Sequence, residues 1–222
     1  DHWSVRELLH SLLLRNLDYL IVLSEGVRQS VLSQSLLAQS LINDRKVKVI
    51  SLGLDYSRFD PHAVSGISLR EAWKADADTV IIGSVGRFTE EVGQDTFLKA
   101  AASLLKHNQF KLKFVIASED AVVATEEYMQ GLKELVAQFK ISDFVEFIEV
   151  KDNLPQIMAA LDIFVMPGRE EVPGLGALEA LAMQKPVVLS KLVGASEIVG
   201  NMQCGLLVRP EDAFDLQYKV LE

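Results

Sequence analysis

The stretch Glu171-Val-Pro-Gly-Leu-Gly-Ala-Leu-Glu179 decides how this chain reads. Its two carboxylates stand eight positions apart, the first in a turn with Pro and Gly, the second inside an Ala/Leu helix. Upstream, Asp162-Ile-Phe-Val-Met-Pro167 reads as an apolar strand, and downstream Lys185-Pro-Val-Val-Leu189 reads as another. A strand, a glycine turn and a helix N-terminus together form an anion-binding device. Unpaired backbone N–H groups and the positive end of the helix dipole converge there on one point.

Outward from this stretch, strands and helices alternate. Strands are expected near Val80–Val85, Leu112–Ala117, Phe144–Ile148, Ile163–Met166 and Val187–Leu189. Helices are expected near Asp95–Lys106, Thr125–Phe139, Leu154–Leu161 and Gly176–Met183. An earlier series holds a helix over Ser4–Arg15, a buried strand at Tyr19–Leu23, a helix from the N-cap Ser24 to about Leu41, and a short strand at Lys46–Ile50. Between the two series, Asp55–Asp78 carries Pro61, Gly66 and small polar clusters, and reads as a connector with one short helix near Leu69–Trp73. Apolar strands alternating with helices imply an α/β fold whose parallel sheet is covered on both faces.

Composition narrows the function classes. The 222 residues are 49% hydrophobic and 24% charged, enough for a buried core. A formal charge of −9 argues against nucleic-acid binding, which depends on neutralising phosphates with Lys and Arg. It argues equally against a broad basic membrane-binding face. Cys204 is the single cysteine, so a disulfide framework is excluded and a reducing, cytoplasmic compartment is expected. No apolar run approaches the roughly 20 residues of a spanning helix. The chain starts at Asp1 without a basic-then-apolar leader, and is expected to be a piece of a longer protein. His2, His10, His62 and His107 show no metal-ligand spacing, and no metal is expected.

Several motifs in order resemble the retaining glycosyltransferases of the two-Rossmann-domain GT-B architecture (family-four-like, glycosyl transferases group 1), whose donor half carries an E-x7-E run. Asp18-Tyr-Leu-Ile-Val-Leu-Ser-Glu25 resembles the end of their acceptor-side domain, and Lys48-Val-Ile-Ser-Leu-Gly-Leu-Asp-Tyr-Ser-Arg-Phe59 their interdomain segment. Ile82-Gly-Ser-Val-Gly-Arg87 resembles the strand and turn that open the donor domain. Leu154 to Pro167 resembles the run before E-x7-E, and Val193-Gly-Ala-Ser-Glu-Ile-Val199 with Gly205-Leu-Leu-Val208 the tail. The resemblance implies that residues 1–54 are the C-terminal part of the acceptor-side domain, 55–78 the connector, and 79–222 a Rossmann-like, doubly wound nucleotide-sugar-binding domain short of its closing helices.

The same resemblance implies site roles. Gly86 and Arg87 would meet the diphosphate, Gly permitting close approach and Arg offering a fixed fork of donors. Gly174, Leu175 and Gly176 would present backbone N–H groups to the phosphates. Glu179 would bind the ribose hydroxyls, and Ile148 would lie by the nucleobase. Glu171 would act catalytically, stabilising charge near the anomeric carbon. Three departures stand out. Val92 replaces the Lys of the family's E-K-G trio, Ala117-Ser-Glu-Asp120 replaces a glycine-rich turn, and Phe147-Ile-Glu149 replaces F-L-G. Asp162 reads as a strand-start residue rather than a catalytic one.

The expected function is transfer of a sugar from a nucleoside-diphosphate sugar to a hydroxyl acceptor, with retention of configuration. The acceptor, a glycan, lipid or small molecule, and any peripheral membrane association would belong to the other domain. Two alternatives remain open: a non-catalytic binding or scaffolding partner with a degenerate donor site, and an epimerase or phosphorylase on the same architecture.

Overall fold

The computed structural model describes residues 17–33, 46–107, 109–118, 126–170, 174–202 and 204–222. The chain divides into two compact units, Asp1–Gly53 and Leu54–Glu222. In the first unit, β1 (Leu20–Val22) pairs in parallel with β2 (Val47–Val49), and Val22 lies opposite Val49. Between them runs α1 (Glu25–Ser33), started by Ser24, whose hydroxyl accepts a hydrogen bond from Val27 N–H at 3.1 Å. The expected helix over Ser4–Arg15, and the part of the second helix beyond Ser33, lie outside the described residues.

The larger unit opens with α2 (Ile67–Ala72) and then β3 (Thr79–Val85), α3 (Gln94–His107), β4 (Lys111–Ser118), α4 (Glu126–Phe139) and β5 (Val145–Glu149). It continues with α5 (Leu154–Ala160), β6 (Ile163–Met166), α6 (Leu175–Ala182), β7 (Val187–Ser190), α7 (Val193–Met202), β8 (Gly205–Val208) and α8 (Ala213–Leu221). Six strands make one parallel sheet in the order β5-β4-β3-β6-β7-β8. Along each strand, successive side chains enter opposite layers. Ile81, Val115, Phe164, Val187 and Leu189 join α5, α6 and α7 in one core. Ile82, Phe114, Ile116, Val165 and Val188 join α3, α4 and α8 in the other. That two-sided burial is why the strands read as unbroken apolar runs.

The stretch 55–78, expected to link two domains, packs within the larger unit. Phe59 and Trp73 are buried in the core shared with α5 and α6. A Cβ on Gly66 would stand 2.2 Å from the Ala160 nitrogen, so only glycine allows α2 to start against the end of α5. Arg70, on α2, donates to the Ala160 carbonyl and the Asp162 carboxylate, both at 2.9 Å, and to the Thr79 carbonyl at 2.6 Å. Asp162 also accepts Ile81 N–H at 2.7 Å and thus staples β6 to β3, the structural part expected of it.

The expected elements of this unit are present with their ends moved by one or two residues. Three more follow β7, namely α7, β8 and α8, where the alternation of apolar residues had suggested no element. Asp212 caps α8, its carboxylate accepting from Phe214 and Asp215 N–H. Among the described residues no helix is long and apolar enough to cross a membrane.

Candidate functional site

The sheet has one topological switch point. From β3 the chain moves outward through β4 and β5, then returns to β6 on the other side of β3 and moves outward again. Loops leaving the C-terminal ends of β3 and β6 therefore diverge and leave a crevice, the place where ligands bind in doubly wound sheets.

Gly86 and Arg87 leave β3 at this point. Gly86 is half-buried and extends the ladder, its N–H donating to the Ala117 carbonyl at 3.0 Å. Arg87 is exposed, and the ion pairs formed among the described residues do not include it. From the other side, α6 brings its N-terminus to the same edge. Gly174 caps it, and its first intrahelical bond runs from Leu178 N–H to the Gly174 carbonyl at 3.1 Å. The N–H groups of Leu175 and Gly176 thus precede the ladder. A Cβ on Gly176 would meet the Phe164 ring at 3.2 Å and the Val85 carbonyl at 3.8 Å, so α6 starts against the last residue of β3. The Gly86–Arg87 turn and the helix start are thereby brought together.

Glu179 lies further along α6 and is buried, 9% exposed. Leu175 is exposed at the helix start. Glu171, like Glu119 and Asp120, lies outside the described residues. Ile148 sits on β5 opposite Ala117 and lines a cleft of about 780 Å³ at the ends of β4 and β5. Phe88, next after Arg87, lines the same cleft, its ring centroid 6.5 Å from that of Phe147. The far wall is the start of α4, including Glu126, Met129 and Lys133. Its volume falls in the range of about 300–1,000 Å³ typical of small-molecule sites.

Val92 is 6% exposed and packs beneath the turn, its Cγ1 3.1 Å from where a Gly86 Cβ would be. A network around Arg169, which the motifs had not singled out, ties the two loops of the crevice together. Arg169 N–H donates to the Glu91 carbonyl at 2.8 Å, and its guanidinium reaches the Glu90 carbonyl, Asp95 and Glu211. Hydrogen bonds that Arg169 donates to Asp95 and Glu211 hold it protonated beyond its already high pKa. Burial is the largest single influence on Asp95 and would raise its carboxyl, yet Arg169 and Lys99 together hold it below the ordinary value. Burial, reinforced by Asp95, pushes the Tyr128 hydroxyl up.

The glycosyl transferases group 1 sequence profile matches residues 67–222, which include the whole six-stranded sheet. The chain belongs to that family. Among curated relatives of this family member, the D-inositol 3-phosphate glycosyltransferase of Saccharomonospora viridis is 29% identical over 174 residues, covering 76% of the chain and 40% of the relative. The lipopolysaccharide core biosynthesis mannosyltransferase LpsB of Rhizobium meliloti is 31% identical over 166 residues, covering 74% and 46%. The chain thus spans less than half the length of these curated relatives. Its GT-B fold is shared with Anabaena Alr3699/HepE, solved with UDP and glucose, at a TM-score of 0.81 and 23% identity, covering 98% of this chain and 56% of that one. The C-terminal domain of a group 1 protein (LpcC) from Francisella tularensis matches at a TM-score of 0.65 and 26% identity, covering 76% of this chain and 86% of that one.

Proposed function

We propose that this chain carries the donor half of a glycosyltransferase that moves a sugar from a nucleoside-diphosphate sugar to a hydroxyl, with retention of anomeric configuration. One observation carries the reading: the Gly86–Arg87 turn meets the N-terminus of α6 at the switch point, beside a cleft of about 780 Å³. The UDP complex of HepE and the transferase names of the relatives support it.

Breaking the donor's glycosidic bond builds negative charge on the departing diphosphate. Arg87 and the N–H groups of Gly174, Leu175 and Gly176 stabilise that charge with donors fixed in advance, so no reorganisation is needed during the reaction. The base lies in the cleft by Ile148, and Glu179 takes the ribose hydroxyls. Glu171 stabilises charge near the anomeric carbon. The acceptor, a glycan, lipid or small molecule, is assigned to the domain to which residues 1–53 belong, and the reaction to the cytoplasm.

A second reading, a scaffold that keeps the fold without donor chemistry, is favoured by Val92, an apolar side chain packed under the turn where the family carries Lys. Calorimetry of the chain against UDP, GDP and ADP, with inorganic phosphate as control, separates the two. Saturable binding of one diphosphate above phosphate supports the transferase reading. Absence of binding to all three at millimolar concentration, repeated on a chain extended to the length of the relatives, leaves the scaffold.

A further inference from the structure

We infer that Gln94 is a positioning residue for the diphosphate site, setting the aim of Arg87 by clamping its backbone carbonyl and tying that carbonyl to the wall of the cleft. This rests on the reading of Arg87 above. Gln94 is the first residue of α3 and is fully buried. Its side-chain nitrogen donates to the Arg87 carbonyl at 2.7 Å, and its side-chain oxygen accepts from the Tyr128 hydroxyl at 3.2 Å. A carbonyl can only accept, so the amide has one workable orientation, and that orientation turns its oxygen to Tyr128.

The Arg87 carbonyl also accepts from Thr89 N–H at 3.0 Å. Two donors on one carbonyl fix the peptide plane that follows Arg87, and with it the direction in which the side chain leaves the sheet edge. Arg169 is held by ion pairs to Asp95 and Glu211, whereas the ion pairs among the described residues leave Arg87 out. Its clamped carbonyl is therefore the fixed point from which its exposed side chain reaches out. Tyr128 stands in the first turn of α4, the helix that walls the cleft. The Tyr128–Gln94–Arg87 chain thus couples the cleft wall to the turn that meets the diphosphate. A buried amide that is merely satisfied would support the fold alone. The two roles differ in how they interact with Arg87.

The test is calorimetry on the 222-residue chain with whichever of UDP, GDP and ADP the parent binds, and with the matching nucleoside. Gln94→Met keeps the length of the side chain and removes both hydrogen bonds. It should weaken diphosphate binding about tenfold, or about 1.4 kcal/mol, and leave nucleoside binding unchanged. Combined with Arg87→Ala it should add nothing to the loss from Arg87→Ala alone, because both changes disable one group. Tyr128→Phe, which keeps the ring, should weaken the diphosphate severalfold in the same pattern, and decides the matter if Gln94→Met does not fold. Unchanged diphosphate affinity in the folded variants, or losses that multiply in the double variant, overturns the inference while the site reading stands. A parent that binds none of the three nucleotides overturns both.

Discussion

The Arg169 guanidinium stands 2.8 Å from the Asp95 carboxylate, joining the loop after β6 to the first turn of α3 across the switch point. These are the two loops whose divergence opens the crevice, so the pair holds its width. Both side chains are mostly buried, at 24% and 15% exposed, which places the pair above the usual surface ion pair in worth.

Arg169→Met should therefore lower stability by about 2 kcal/mol, the scale of a lost charge-assisted hydrogen bond. The Asp95 contribution has a definite pH window. Its carboxyl is depressed in the folded chain, so the stability it adds is present above the ordinary carboxylate value of about 3.9 and disappears as pH falls through the lower folded value. Urea unfolding of the parent and Asp95→Asn should differ at pH 7, differ as much at pH 5, and converge in stronger acid. A gap that widened on acidification would exclude this account.

Arg87→Ala should weaken binding of a nucleoside diphosphate at least tenfold, about 1.4 kcal/mol, while leaving circular dichroism and the melting temperature unchanged. The second half follows from its exposed side chain and its absence from the ion pairs of the described residues. Binding equal to the parent's by calorimetry would show Arg87 to be an ordinary surface residue.

Two glycines make a matched pair. Gly93 has φ +75°, and a Cβ on it would stand 2.2 Å from the Pro167 carbonyl oxygen. Gly93→Ala should cost at least the roughly 1–2 kcal/mol of a left-handed alanine, and more as the Pro167 loop is pushed away. Gly131, inside α4, has nothing within 4 Å of the same position. Gly131→Ala should stabilise by about 1 kcal/mol through helix propensity. Thermal unfolding reads both signs, and equal shifts would refute the distinction.

The strands were legible because burial on both faces demands continuous apolar runs such as Phe114-Val-Ile116 and Phe164-Val-Met166. The helix α7 was not, since Gly194 and Gly200 interrupt its periodicity, and β8 is an edge strand with only Val208 of its four residues buried. Pro61 and Gly66 made 55–78 read as a connector with one short helix and hid its packing on α5, because a glycine required for close approach to Ala160 reads the same as one in a loose turn. On the site side, a turn and a helix start announce themselves locally, so Gly86, Arg87 and Gly174 stood out. Arg169 meets Asp95 across 74 positions and Tyr128 meets Gln94 across 34, and no local pattern encodes such pairs.

Val92 offers the sharpest discrimination between transferase and scaffold. From the sequence alone, Val92→Lys is expected to restore a cation opposite the diphosphate. The fold adds a cost, because Val92 is 6% exposed and packs under Gly86, and a buried ammonium without a partner is strongly disfavoured. The variant should therefore melt lower than the parent in plain buffer. If the turn meets a diphosphate, the new ammonium gains its partner when the nucleotide binds. Nucleotide should then recover the lost stability and bind more tightly than to the parent. That gain should shrink in about 1 M salt, where the Debye length falls to about 3 Å. A variant that melts lower with no recovery on adding UDP, GDP or ADP would mean that position 92 serves packing alone, and would count against the diphosphate assignment of the turn above it.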